Sequence, residues 1–154
     1  MSGLTADALR ARCADLDVDV REPASEADEV RIAVLGEASK SLLERLRNDE
    51  ESSVRRLVDL TVIDRRPEES KLEVVYRLYS SEFQTMFRVH AELAIGAEPC
   101  TIDSVVSLWP AAHWLEREAH DLFGVVFSGH PDLRRLLLEQ GFEGAPLLRS
   151  QGPG

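Results

Sequence analysis

Between residues 113 and 135 the chain reads HWLEREAHDLFGVVFSGHPDLRR, which holds three of its four histidines and a dense set of ionisable groups. On an α-helix His113, Glu116 and His120 stand three and four residues apart and share a face. Such a trio is a candidate metal site. The order is not H-E-x-x-H, however, and the sequence names no fourth ligand. Arg117 and Asp121 are also four apart, the spacing of an exposed ion pair contributing about 0.3–0.5 kcal/mol. Glu118 lies three residues before Asp121, and these like charges repel unless a cation sits nearby, for which Arg134 and Arg135 are the local candidates. The cluster is either catalytic, with one carboxyl raised in pKa, or a clamp that holds the following loop onto the helix. The stretch supplies no nucleophile with its base and no phosphate-cradling glycine loop, and Gly124 and Gly129 do not form G-x-G-x-x-G.

Trp109, Trp114, Phe123 and Phe127 flank these charges. Trp114 and Phe123 are expected to pack into the core, and buried aromatics beside arginine are also typical interface anchors. His130 precedes Pro131, which holds it extended, so it suits a fixed contact better than a moving proton shuttle. Asp132 is placed to cap a short helix running to 138.

These residues need elements to position them. A Trp109-Pro110 break, Pro110 in a first helical turn and Gly124 as a left-handed C-cap predict a helix from 110 to 123. Upstream, residues 103–108 read as about one helical turn and 96–100 as a loop. Three runs joined by short turns, 56–64, 72–80 and 84–93, predict an antiparallel meander. In the first, Val58, Leu60 and Val62 share a face. In the last, Phe87, Val89, Ala91 and Leu93 point one way and Gln84, Arg88, His90 and Glu92 the other. Residues 29–35 alternate as a strand ended by Gly36, and 17–22 form a shorter one. Leu42, Leu43 and Leu46 have helical spacing within 39–47. Thr5 caps an N-terminal helix, with Leu4 and Leu9 as a staple. The class is α+β: a mixed, largely antiparallel sheet with helices packed on one face and an extended C-terminal arm. One domain spans residues 1–140, and a glycine- and proline-rich tail spans 141–154.

Composition narrows the function. A net charge of −10 disfavours nucleic acid and anionic membranes, since phosphate contacts need clustered Lys and Arg. Cys13 and Cys100 are the only cysteines. They are too few for a four-thiolate iron–sulfur cluster, and two buried reduced thiols are expected. Residues 1–9 lack a charged-then-apolar signal pattern, and no apolar run approaches the roughly 18 residues that span a bilayer. A cytoplasmic location, with membrane association only through partners, is therefore expected.

Glu116-Arg117-Glu118, Asp121, Phe123-Gly124, Phe127, Gly129-His130-Pro131-Asp132-Leu133 and Arg135-Leu136-Leu137, led in by 107–112 (SLWPAA), resemble the signature of one family. It is the 30 kDa, or C-type, subunit family of NADH:quinone oxidoreductase, the respiratory complex I of bacteria and mitochondria. The J-type subunits of chloroplasts and cyanobacteria share that signature. The likeness is dense over residues 104–138. It implies a cofactor-free α+β subunit of the peripheral arm of a proton-translocating respiratory complex, at the cytoplasmic face of the bacterial membrane. Iron–sulfur clusters and FMN would sit in partner subunits, and this chain would pack chiefly against the quinone-site subunit. It also implies that Glu116, Arg117, Glu118, Asp121, Gly124, His130, Pro131, Asp132, Arg134 and Arg135 form the docking surface or the structural signature behind it. The tail departs from the family's Gly-x-Pro-Leu-Arg-Lys-Asp-like pattern, reading Gly144-Ala145-Pro146-Leu147-Leu148-Arg149-Ser150. The chain is also short, closer to the J-type members. A homologous subunit of an energy-converting membrane-bound hydrogenase or formate hydrogenlyase is the alternative reading.

Overall fold

The computed structural model describes residues 5–96 and 99–133. The tail at 141–154, the helix expected to run to 138, Arg134, Arg135 and the Leu4 half of the staple lie outside those residues.

Helix α1 (Ala6–Arg12) starts at Thr5, whose hydroxyl accepts from the Ala8 N–H at 3.2 Å. Strands β1 (Val18–Arg21) and β2 (Val30–Leu35) pair antiparallel. A 3₁₀ turn (Gly36–Ala38) leads into α2 (Ser39–Asn48), which buries Ser39, Leu42, Leu43 and Leu46 along one stripe. Then β3 (Val54–Asp64), β4 (Lys71–Ser80) and β5 (Thr85–Ala94) form the antiparallel meander. The sheet order is β1-β2-β5-β4-β3, and β2 pairs parallel with β5, so the sheet is mixed and largely antiparallel.

Register aligns the apolar side chains in rows. Val20, Ile32, Val89, Tyr76 and Leu60 form one row, and Val34, Ala91, Val74 and Val62 the next. All are buried in one core with the apolar residues of the three helices. The helices therefore cover this face of the sheet, while the opposite face is mostly charged. Phe87, Val89, Ala91 and Leu93 fall on the core face as their alternation predicts. Val58 does not. Register shifts between Val54 and Arg56 and between Leu57 and Asp59 make the buried positions of β3 step by three, from Val54 to Leu57 to Leu60. A bulge inserts one residue and turns its neighbours to the other face, so Leu57 takes the core position expected for Val58.

Two elements differ from the sequence expectation. Thr101–Asp103 is a strand, β6, and Val126–Ser128 is a strand, β7; they pair parallel as a separate small sheet. The segment expected to be about one helical turn from 103 begins in β6 and then makes one helical turn, closed by the N–H groups of Leu108 and Trp109 on the Val105 carbonyl. Three-residue strands carry too little alternation to register as strands. Helix α3 (Ala112–Phe123) connects this turn to β7 and ends at Gly124, whose φ of 75° is the left-handed C-cap.

Candidate functional site

Helix α3 buries carboxylates as well as apolar side chains. Ala112, Glu116, Ala119 and Asp121 are buried, and Glu116 and Asp121 are fully so. Glu116 reaches across to the turn after β6. One of its carboxylate oxygens accepts from the Ser104 hydroxyl at 2.5 Å and the other from the Val105 N–H at 2.9 Å. Burial pushes the Glu116 carboxyl up to about 7, against the opposing pull of those two donors. Tyr76, fully buried on the core face of β4, carries a hydroxyl with no hydrogen-bond partner among the described residues. Its ionisation is pushed up by burial and then by the Glu116 and Asp103 charges.

The loop after α3 is closed by the histidines. His120 Nδ1 lies 2.9 Å from the Val125 carbonyl, across the Gly124 C-cap. His130 Nε2 lies 2.9 Å from the His113 carbonyl, and its Nδ1 accepts from the Asp132 N–H at 2.9 Å. An accepting Nδ1 leaves Nε2 as the donor to the His113 carbonyl, so His130 is held at both nitrogens. The His113 and His130 rings also pack, with centroids 4.8 Å apart.

The His113, Glu116 and His120 trio therefore does not converge. Glu116 points inward to Ser104 and Val105, and His120 points to the C-cap. Among the described residues no three His, Cys, Asp or Glu side chains are grouped to hold a metal ion. Nor is the Arg117–Asp121 ion pair made: Arg117 enters no ion pair among the described residues, and its Nε is buried without a hydrogen-bond partner. Glu118 is half-buried, Gly129 and Pro131 are exposed, and Asp132 is half-buried at the end of the His130 turn. Arg134 and Arg135, the expected neutralisers, lie outside the described residues.

Trp114 corrects an expectation. It is 54% exposed rather than packed into the core, because Glu116 turns inward and position 114 lies on the opposite side of the helix. Phe123 is partly buried against the core, while Trp109 and Phe127 are buried in it. Cys13 and Cys100 are both buried and in no disulfide among the described residues, and burial raises the Cys13 thiol. Sequence reasoning missed Ser104 and Val105 as the donors to Glu116. No local signal links them to it, since the contact spans eleven or twelve residues. The hydrogen bonds of Glu116, His120 and His130 all run to the fold itself.

A family model described as respiratory-chain NADH dehydrogenase, 30 Kd subunit, matches residues 32–152. The chain is 43% identical over 106 residues to the C-type subunit of an NADH-quinone oxidoreductase from Hyphomonas neptunium, covering 69% of this chain and 51% of that protein. To the corresponding subunit of a Methylobacterium species it is 40% identical over 128 residues, covering 83% of this chain and 58% of that one. The chain thus spans about half the length of the curated relatives it matches. Among solved structures, the trypsin-resistant fragment (1-134) of Nqo5 has the same fold, with a TM-score of 0.66 at 24% identity over 82% of this chain and 98% of that one. A chain from an archaeal membrane-bound sulfane sulfur reductase also shares it, at a TM-score of 0.72 and 21% identity, covering 86% of this chain and 75% of that one.

Proposed function

Because the chain belongs to the respiratory-chain NADH dehydrogenase 30 Kd subunit family, we propose that it is a non-catalytic, cofactor-free subunit of the peripheral arm of an NADH:quinone oxidoreductase. In this role it supports assembly and electron transfer to quinone by packing against the subunit that forms the quinone site. The observation that carries the proposal is the division of labour on α3. Glu116 turns inward and fixes the turn at Ser104–Val105, while Trp114 stands 54% exposed on the same helix. An inward lock with an outward aromatic makes a preorganised docking surface, and large exposed aromatics that become buried are the usual anchors of interfaces.

Electron carriers, iron–sulfur clusters and FMN belong on this reading to partner subunits. No helix among the described residues is long and apolar enough to cross a membrane, so attachment to the cytoplasmic face would come through those partners.

The purified chain is expected to show no iron–sulfur absorbance in the visible and no NADH oxidation. Robust turnover by the chain alone would overturn the proposal. Arg117→Ala is expected to lower incorporation into the complex more than it lowers the melting temperature of the isolated chain. A domain that melts far earlier with unchanged assembly would make Arg117 a structural clamp instead of a docking residue. Identification of a nickel–iron large subunit in place of NADH-binding partners in the purified assembly would move the chain to the hydrogenase-type complexes.

A further inference from the structure

Trp114 and Glu118 stand four residues apart on α3, on the side of the helix opposite the inward Glu116. Residues at that spacing are surface neighbours, with Cβ atoms about 5–6 Å apart. Trp114 is 54% exposed. Glu118 is half-buried beside it and enters no ion pair among the described residues. Leu115 and Leu122, three residues before Glu118 and four after it, are partly buried along its flank. A carboxylate is thus set between an open indole and two leucines.

No described cation fills this place. Arg117 is next in sequence but about 100° round the helix from Glu118, and its Nε is buried. The cation–π contact among the described residues joins Arg12 to Phe83, and none joins Arg117 to Trp114. What the pair accepts is narrow. An apolar partner would bury the Glu118 carboxylate without a counter-charge, and an acidic partner would repel it. A cation suits both side chains, because an indole face attracts one within about 6 Å. Arginine engages the two at once. Its planar guanidinium stacks on an aromatic face while its fork of N–H donors meets a carboxylate, whereas a lysine ammonium is a point charge with no plane to stack.

We propose that Trp114 and Glu118 together receive an arginine side chain of a partner subunit. The inference rests on the reading of the chain as a docked subunit and deepens it, by naming the group that the partner presents to α3. The guanidinium stacks on the indole, its N–H groups pair with the Glu118 carboxylate, and its methylene stem lies against Leu115 and Leu122. Glu116 ties α3 to the turn at Ser104–Val105. Both receiving side chains therefore stand on a helix that is already fixed, which lowers the ordering cost of docking. An anionic lipid surface is a poor occupant, since it attracts basic side chains and Glu118 repels it.

The test uses the assembly purified from membranes through a tag on this chain. E118R and W114A are each expected to reduce the partner subunits recovered by about tenfold or more. W114F, which keeps an aromatic face, is expected to retain most of the recovery, and W114L to fall with W114A. The melting temperature of each isolated variant chain should match the wild type, because both side chains point away from the core. In the wild-type assembly one arginine of another subunit is expected to be protected from phenylglyoxal, read by mass spectrometry, and to become reactive in the E118Q assembly. Recovery of E118R at the wild-type level, or W114L recovering as well as W114F, would overturn the inference. So would a carbodiimide cross-link from Glu118 to a lysine of another subunit, since the occupant would then be an ammonium group. If the wild-type chain purifies without any other subunit, the subunit reading itself fails, and this inference with it.

Discussion

Two buried glutamates on opposite sides of the sheet illustrate how surroundings assign a carboxyl its role. Glu116 lies on the helix side, where its hydrogen-bond partners are neutral, the Ser104 hydroxyl and the Val105 N–H. Desolvation prevails there, and the carboxyl rises to about 7. Glu73 lies on the open face, as buried as most of the core, yet His90 and Arg65 both reach it, at 2.7 and 2.9 Å. The His90 hydrogen bond and the Arg65 contacts outweigh burial and hold Glu73 down at about 2. The helix side is thus built from neutral contacts around the carboxyl, and the open face from charges paired with charges. The first arrangement favours the protonated carboxyl, and the second holds its carboxylate charged.

The largest expected effect separates the two glutamates directly. Glu116→Ala leaves two buried donors without an acceptor, at about 1–3 kcal/mol each, and opens a cavity beneath α3. Urea unfolding should show a loss of about 3–5 kcal/mol. Glu73→Gln should cost about 3 kcal/mol at neutral pH, the stability linked to its lowered carboxyl. A larger loss for Glu73→Gln would invert the comparison.

The pH dependence should differ in sign. With its folded pKa raised, Glu116 keeps its proton in the native state after the unfolded chain has released it. Stability therefore falls as pH rises from about 4.5 to about 7, by roughly 3 kcal/mol across the window. Glu73, with its folded pKa depressed, contributes stability above about 4.5 that is lost as pH falls toward about 2. Denaturant unfolding against pH should lose its upper slope in Glu116→Gln and its lower slope in Glu73→Gln. An unchanged upper slope in Glu116→Gln would place the titration elsewhere.

The smallest effect concerns the loop that α3 carries. His130→Ala removes the contacts to His113 and Asp132 at a half-buried site. The melting curve should register a loss of about 1–2 kcal/mol. A loss as large as that of Glu116→Ala would mean that the histidine clamp, and not the carboxylate, organises the helix side.

What the sequence revealed follows from the range of each interaction. The strict alternation of 85–94 and the leucine stripe of α2 are local patterns, and both fell on the expected faces. Gly124 was legible because a helix end next to glycine has one favoured geometry. The bulges of β3 were not legible, since an inserted residue looks like any other until its partner strand is known. Nor were β6 and β7, which exist only by pairing with each other across more than twenty residues. At the candidate site the density of charge around residues 113–132 was evident. The direction of each side chain was not: Glu116 inward and Trp114 outward depend on what the turn at Ser104 offers. On the open face, alternation put His90 among the polar positions, but its burial beside Glu73 depends on strand register.

The most direct test of the subunit assignment is to tag this chain in its own cells, solubilise the membranes gently and assay what the tag recovers. The expected eluate contains iron–sulfur-bearing subunits and reduces quinone at the expense of NADH, with this chain in equal proportion to the others. Recovery of the chain alone, with the membrane NADH:quinone activity left in the unbound fraction, would contradict the assignment.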